Sequence, residues 1–220
     1  MAATGITIAS CSPGGGLGLN NSTGPGAAGG SRGALSFDPA RTLISYFSVP
    51  LTDQSANNRE DVENSMHVVD GNVLGNTEYV AQLIQERTGA QLFRIETAQS
   101  LPVSMDTLTD EAEVEQEENA RPGVKAPISD LAAYDTIFIG YPIWWYDLPM
   151  VLYTFLEQHD FTGKNIVLFS THGGSRLSGT VETITAALSG AAVNQNAFTI
   201  SRDDMHDAPG EVDSWLGSLN

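Results

Sequence analysis

The stretch DTIFIGYPIWWYDLP, Asp135 to Pro149, decides how the chain folds. Its first half, TIFIG (Thr136–Gly140), is apolar without interruption, and the same holds for NIVLFS (Asn165–Ser170) further on. A strand that alternates polar and apolar residues keeps one face in water. One that is apolar throughout is buried on both faces, which implies a parallel sheet covered by helices. The second half of the stretch is unlike a strand. Tyr141, Pro142, Trp144, Trp145 and Tyr146 place a large aromatic area on the turn that follows, where water would otherwise reach it.

Outward from this strand the pattern repeats. TLISYF (Thr42–Phe47), bounded by Pro39 and Pro50, reads as a buried strand, and AQLFRIET (90–97) as another. NTEYVAQLIQERTG (76–89) puts Val80, Leu83 and Ile84 on one helical face and ends on Gly89, a helix with its stop signal. LPMVLYTFLEQHDF and GTVETITAALSG supply helices after the next two strands. AFTIS (Ala197–Ser201) is a weaker fifth strand, and EVDSWLGSL closes with a short helix. Strands alternating with helices over residues 41–220 predict a doubly wound α/β domain of five parallel strands with helices on both faces.

The first forty residues differ. CSPGGGLGLNNSTGPGAAGGSRGALS is rich in Gly, Ser and Asn, has no apolar periodicity, and reads as a tether over residues 1–40. IASC (Ile8–Cys11) resembles the box at which bacterial lipoproteins are lipidated on cysteine, although no Lys or Arg precedes it. Two locations follow: cytoplasmic, with Cys11 incidental, or membrane-anchored and extracytoplasmic, with Cys11 carrying a lipid anchor. No apolar run reaches the roughly 18 residues of a membrane span.

Composition narrows the partners. The formal net charge of −17 disfavours nucleic acid and anionic membrane surfaces and favours basic proteins. A single cysteine excludes a disulfide framework and multi-cysteine metal sites. His67, His159 and His206 are scattered, lack ligand spacing, and are expected on the surface. Asp106 to Glu118 carries seven acids in thirteen residues and reads as a solvated helix. Gly24, Gly26 and Gly29 spell a formal G-x-G-x-x-G, but no strand precedes it and no helix pattern follows; no G-x-S-x-G, HExxH, P-loop or paired-cysteine motif appears, so no catalytic side chain and no metal ligand is assigned.

In doubly wound folds a ligand lies beyond the carboxyl ends of the strands. After the first strand comes Ser48, then an insertion over residues 49–74 that opens on Val49 and whose one cation is Arg59, then Gly75, Asn76 and Thr77 at a helix start. Small hydroxyl and amide residues at a helix N-terminus bind phosphate without needing a cation. Ordinary helix capping is the alternative use for them. After the third strand comes the aromatic turn. After the fourth comes STHGGSRLSG (Ser170–Gly179), whose paired glycines let backbone approach a flat ligand. A phosphate cradle, an aromatic turn and a glycine-rich turn on one rim suit flavin mononucleotide (FMN).

From about Arg41 to its end the chain resembles the flavodoxin family, and more narrowly a bacterial group with a long insertion in the first loop. YFSV followed by VLGNTEYVAQLI, the acidic DEAEVEQEENARP, the stretch quoted at the outset, and FSTHGGSRLSG carry the resemblance. It implies a sheet of order 2-1-3-4-5 and non-covalently bound FMN. It implies phosphate contacts from Ser48, Asn76 and Thr77, in the loops that also hold Val49 and Gly75. Ring and ribityl contacts would come from Pro142, Ile143, Trp144 and Trp145, and from Thr171, His172, Gly173 and Gly174. Tyr146 stands where the family usually has glycine, and His172 where a smaller residue is usual. If neighbours alternate as in a strand, Trp144 faces protein and Trp145 faces ligand.

Three functions are open at this stage. The first is an electron-transfer flavoprotein whose partner is a basic redox protein or a small-molecule electron acceptor. The second is an NAD(P)H-dependent quinone or nitro-compound reductase using the same FMN site. The third is a tethered binding domain that keeps the fold without the cofactor.

Overall fold

The computed structural model describes residues 37–50, 65–69 and 71–219. The lipobox-like segment with Cys11, nearly all of the tether, and the greater part of the first-loop insertion, Arg59 included, lie outside the described residues. Among the described residues no helix is long and apolar enough to cross a membrane.

The chain forms β1 (Thr42–Phe47), β2 (Met66–Val69), β3 (Asn72–Gly75), α1 (Asn76–Thr88), β4 (Gln91–Ile95), α2 (Met105–Glu117), β5 (Thr136–Pro142), α3 (Met150–Gln158), β6 (Asn165–His172), α4 (Thr180–Ala187), β7 (Ala192–Val193), β8 (Phe198–Ser201) and α5 (Ala208–Ser218). The main sheet runs β4-β1-β5-β6, and β6 then pairs β7 along its start and β8 along its end. Every pairing in it is parallel. This is the predicted order, with the fifth position split between two short strands.

The unbroken apolar runs are buried on both faces. Register sets Ile44 beside Leu92 on one neighbour and Phe138 on the other. Alternation sends Leu43, Phe47, Ile137, Ile139 and Leu168 to one face, where Leu108 of α2, Phe155 of α3 and Ile184 of α4 cover them. Ile44, Tyr46, Phe138 and Val167 go to the other, under Val80 and Ile84 of α1 and Trp215 of α5. At roughly 1.5–3 kcal/mol per buried large apolar side chain, these two cores drive folding. The α1 helix stops where predicted, at Gly89 with φ of 70°.

One element departs from expectation. The end of the first-loop insertion is an antiparallel hairpin, β2–β3, with Met66 opposite Gly75. It delivers the chain to the start of α1 at the rim where β1 and β5 end. That rim is the switch point, since the next two strands of this sheet, β4 and β5, lie on opposite sides of β1.

Candidate functional site at the switch point

Ser48, Asn76 and Thr77 lie at the first part of this rim, and all are buried. Ser48 Oγ accepts from the Glu78 N–H at 3.2 Å, joining the first loop to the first turn of α1. The Thr77 and Thr171 hydroxyls meet at 2.8 Å, which ties α1 to the end of β6. The N–H groups of Asn76 and Thr77 have no acceptor within the helix, as at any helix start. Asn76 Oδ1 is buried and has no hydrogen-bond partner. Ser45 Oγ, Arg94 Nε and Thr154 Oγ1 are also buried without a hydrogen-bond partner, but of these four residues Asn76 alone lines the cleft between the loops. Gly75 is required here for close approach: a Cβ on it would sit 2.1 Å from Ser48 Oγ and 2.3 Å from the Val49 carbonyl.

The aromatic turn is built differently from the expected alternation. Trp144 and Asp147 exchange both backbone hydrogen bonds, at 3.0 and 2.9 Å. Trp145 and Tyr146 between them have φ of 47° and 64°. That is the type I′ arrangement, which glycine and asparagine normally fill. Trp144 is half-buried, edge-on to Phe47 with centroids 5.4 Å apart, and packs on the core. It also lines the cleft, so it faces both ways. Trp145 is 40% exposed, and its indole N–H donates to the Thr109 carbonyl at 2.9 Å. Asp147 holds the turn from behind, accepting from the Leu148 N–H and the Tyr153 hydroxyl. Burial first, and then the Asp147 carboxylate, push the Tyr153 phenol well above its ordinary value, so it stays a donor.

The acidic segment is more than a solvated helix. Its outer face is exposed, but Leu108 and Ala112 are buried and, with Met105 and Thr109, form a wall of the cleft. Gln116 donates to the Trp145 carbonyl at 3.3 Å, so α2 holds the turn at two points. Burial, reinforced by Glu111, raises the Glu115 carboxyl above its usual value.

The glycine-rich loop completes the site. Ile143 N–H donates to the Thr171 carbonyl at 2.8 Å. Gly174 N–H donates to His172 Nδ1 at 2.9 Å, so the neutral ring carries its proton on Nε2. Burial, and then Arg176, lower the His172 pKa, with Asp204 and Asp203 opposing. Tyr141 and Thr180 pair their hydroxyls at 2.9 Å beneath the loop, and burial pushes the Tyr141 phenol up to about 12.

Ser48, Val49, Asn76, Thr77, Pro142, Ile143, Trp144, Trp145, Thr171, His172, Gly173 and Gly174 all line one cleft of about 520 Å³. Gly75 stands behind its wall. Sequence reasoning missed Thr109, Ala112 and Arg202, which also line it, and Arg94, which does not reach it but grips the first loop. The i, i+4 pair Leu108/Ala112 was the available signal for α2; nothing local marked Arg94. Of the histidines, only His206 is exposed. His159 is half-buried, accepting the Ile128 N–H on Nε2 and leaving Nδ1 to donate to the Phe155 carbonyl at 2.7 Å. His67 is half-buried against Tyr79. Among the described residues no cluster of His, Cys, Asp or Glu could hold a metal.

A parallel doubly wound sheet with its cleft at the first switch point defines the flavodoxin-like class of α/β domains. The chain belongs to the flavodoxin family, whose model matches residues 67–208. Comparison with curated proteins gave no match. Among solved structures it is similar to a candidate flavoprotein of Bacteroides eggerthii DSM 20697, at 23% identity over 81% of this chain and 97% of that one, with a TM-score of 0.61. A candidate flavoprotein of Bacteroides uniformis ATCC 8492 gives 23% identity, 80% and 99% coverage, and a TM-score of 0.60. A flavoprotein of Lactobacillus acidophilus NCFM, solved in complex with FMN, gives 21% identity, 80% and 98% coverage, and a TM-score of 0.54. At these identities the likeness is one of fold.

Proposed function

We propose that the chain binds FMN non-covalently in this cleft and transfers electrons through it. One observation carries the reading: the buried, amide- and hydroxyl-lined start of α1 opens into the same 520 Å³ cleft as the Trp144–Trp145 turn and the His172–Gly174 loop. That volume falls within the range of about 300–1,000 Å³ usual for small-ligand sites. Membership of the flavodoxin family and the fold shared with an FMN complex support the choice of ligand.

The residues present fit the group. Ser48, Thr77 and the helix start would take the phosphate, where the positive end of the α1 dipole favours an anion. Asn76 Oδ1, buried and unpartnered, suits a hydroxyl of the ribityl chain. Trp144 and Trp145 offer apolar area to a planar ring, and stacking adds roughly 0.5–1.5 kcal/mol beyond burial. Bound there, FMN supplies reversible electron transfer, and the protein's part is to bind, orient and tune it. An apolar wall excludes water from the ring and disfavours added negative charge on it. The exposed Asp110, Glu111 and Glu117 on the outer face of α2, with the net charge of −17, suit a basic redox partner.

Purification after expression with riboflavin, followed by an absorbance spectrum, tests this reading. Visible flavin bands, with FMN released on denaturation, are the expected result. A colourless protein that cannot be reconstituted by added FMN contradicts it. Oxidation of NADH or NADPH by the loaded protein with a quinone would favour the reductase over the carrier.

A further inference from the structure

The phosphate end of the cleft presents an electrostatic difficulty. Ser48, Asn76 and Thr77 are neutral, and the nearest formal charge on α1 is negative. Glu78 sits in the first turn, its carboxylate accepting from the Gly75 N–H at 3.4 Å. A carboxylate there competes with a bound phosphate for the same helix end and repels it.

Arg94, on β4, faces this carboxylate from behind the loop. Its Nη1 lies 2.7 Å from Glu78 Oε1, and its side chain is only 12% exposed. Its Nη2 donates to the Ser48 carbonyl at 3.1 Å and also to the Pro50 carbonyl. The guanidinium lies over the Tyr46 ring, 5.5 Å from its centroid, and Glu96 is 3.9 Å from Nε. The planar fork thus does two things at once. It draws two loop carbonyls away from the cleft, and it neutralises the acid nearest the helix start.

We infer that Arg94 is a positioning residue for the phosphate: without reaching the ligand, it sets the first loop and cancels Glu78, so that α1 presents a net positive end. The inference rests on the FMN reading. It makes Arg94 a determinant of phosphate recognition rather than of flavin binding in general. Riboflavin, which has the ring and ribityl chain but no phosphate, is the control ligand.

The test is calorimetric titration of FMN and of riboflavin into apo wild type, Arg94→Lys, Arg94→Gln, Glu78→Gln and the Arg94→Gln/Glu78→Gln double variant, with a thermal melt of each. The wild type should prefer FMN. Arg94→Lys and Arg94→Gln should each lose about tenfold or more of that preference while riboflavin affinity stays within about twofold. Glu78→Gln should raise the preference, and the double variant should recover part of what Arg94→Gln loses. If Arg94→Gln fails to fold, Arg94→Lys and Glu78→Gln still decide. A proportional drop for both ligands, or an unchanged preference in Arg94→Lys together with Glu78→Gln, overturns the inference and makes Arg94 merely structural. A wild type that binds neither flavin overturns the FMN reading itself, and this inference with it.

Discussion

The two ends of the cleft are made from different materials. At the start of α1, buried Ser48, Asn76 and Thr77 sit where the end of β1 meets the first turn of the helix, braced by Arg94 and Glu78. At the other end, four of the five non-glycine residues with positive φ among the described residues, Trp145, Tyr146, Arg176 and Ser178, crowd into two loops. Trp145 and Tyr146 are also 40% and 72% exposed. A bulky residue in the left-handed region costs about 1–3 kcal/mol and persists only where its surroundings enforce it. Here α2 and Asp147 enforce it. One end is preformed by secondary structure and suits anchoring. The other is strained, and such strain gathers where a ligand is gripped.

Truncations should therefore fail differently at each end. The largest effect is expected within the aromatic turn itself. Trp144→Ala removes a ring packed on Phe47 and the core and should lower unfolding free energy by about 3 kcal/mol in urea denaturation. Trp145→Ala should lower it by less than about 1 kcal/mol, through one exposed hydrogen bond, yet relieve quenching of bound flavin. Equal stability losses would erase the distinction between the two tryptophans.

At the anchoring end, Asn76→Ala should leave the melt nearly unchanged, since Oδ1 gives up no bond within the fold, and weaken FMN by about 1–3 kcal/mol, read by titration. A smaller gain is expected from relieving strain. Tyr146→Gly trades an exposed side chain for a permissive backbone and should stabilise the apo protein by roughly 0.5–1 kcal/mol. A lower melting temperature would show that the Tyr146 ring is held by contacts stronger than the strain.

The smallest effect concerns pH. His172 has a lowered pKa in the folded state, so between that value and about 6.5 the unfolded chain binds the extra proton. Its contribution to stability is therefore complete above about pH 6.5 and is lost as pH falls towards the folded pKa. Protonation would also put a hydrogen on Nδ1, where Gly174 N–H now donates. His172→Asn should flatten the acid-side decline in melting temperature. Some decline should remain, because His67 is lowered in the same direction.

The sheet was legible because burial on both faces leaves continuous apolar runs such as Ile137–Ile139, and the rim was legible because parallel strands bring their ends together. Helix ends were marked by Asn76 and Gly89. Features that depend on register were not. Arg94 meets Glu78 across a strand and a helix, and no local spacing announces such a pair. The acid density of α2 masked the Leu108/Ala112 stripe. Alternation failed at Trp144 and Trp145 because the chain turns there instead of extending. The hairpin before α1 did carry a signal, Asp70–Gly71, a pair suited to a tight turn between strands. The fifth strand was split by Asn194 and Asn196, poor strand formers between two short apolar pieces.

The most direct test is a fluorescence titration of FMN, and separately of riboflavin, with the apo protein. Saturable one-to-one quenching by the wild type, with riboflavin bound much more weakly than FMN, is the predicted result. It would place a phosphate at the α1 start and a ring against the Trp144–Trp145 turn in one experiment. No saturable quenching, or equal affinity for the two flavins, would contradict the assignment of this cleft.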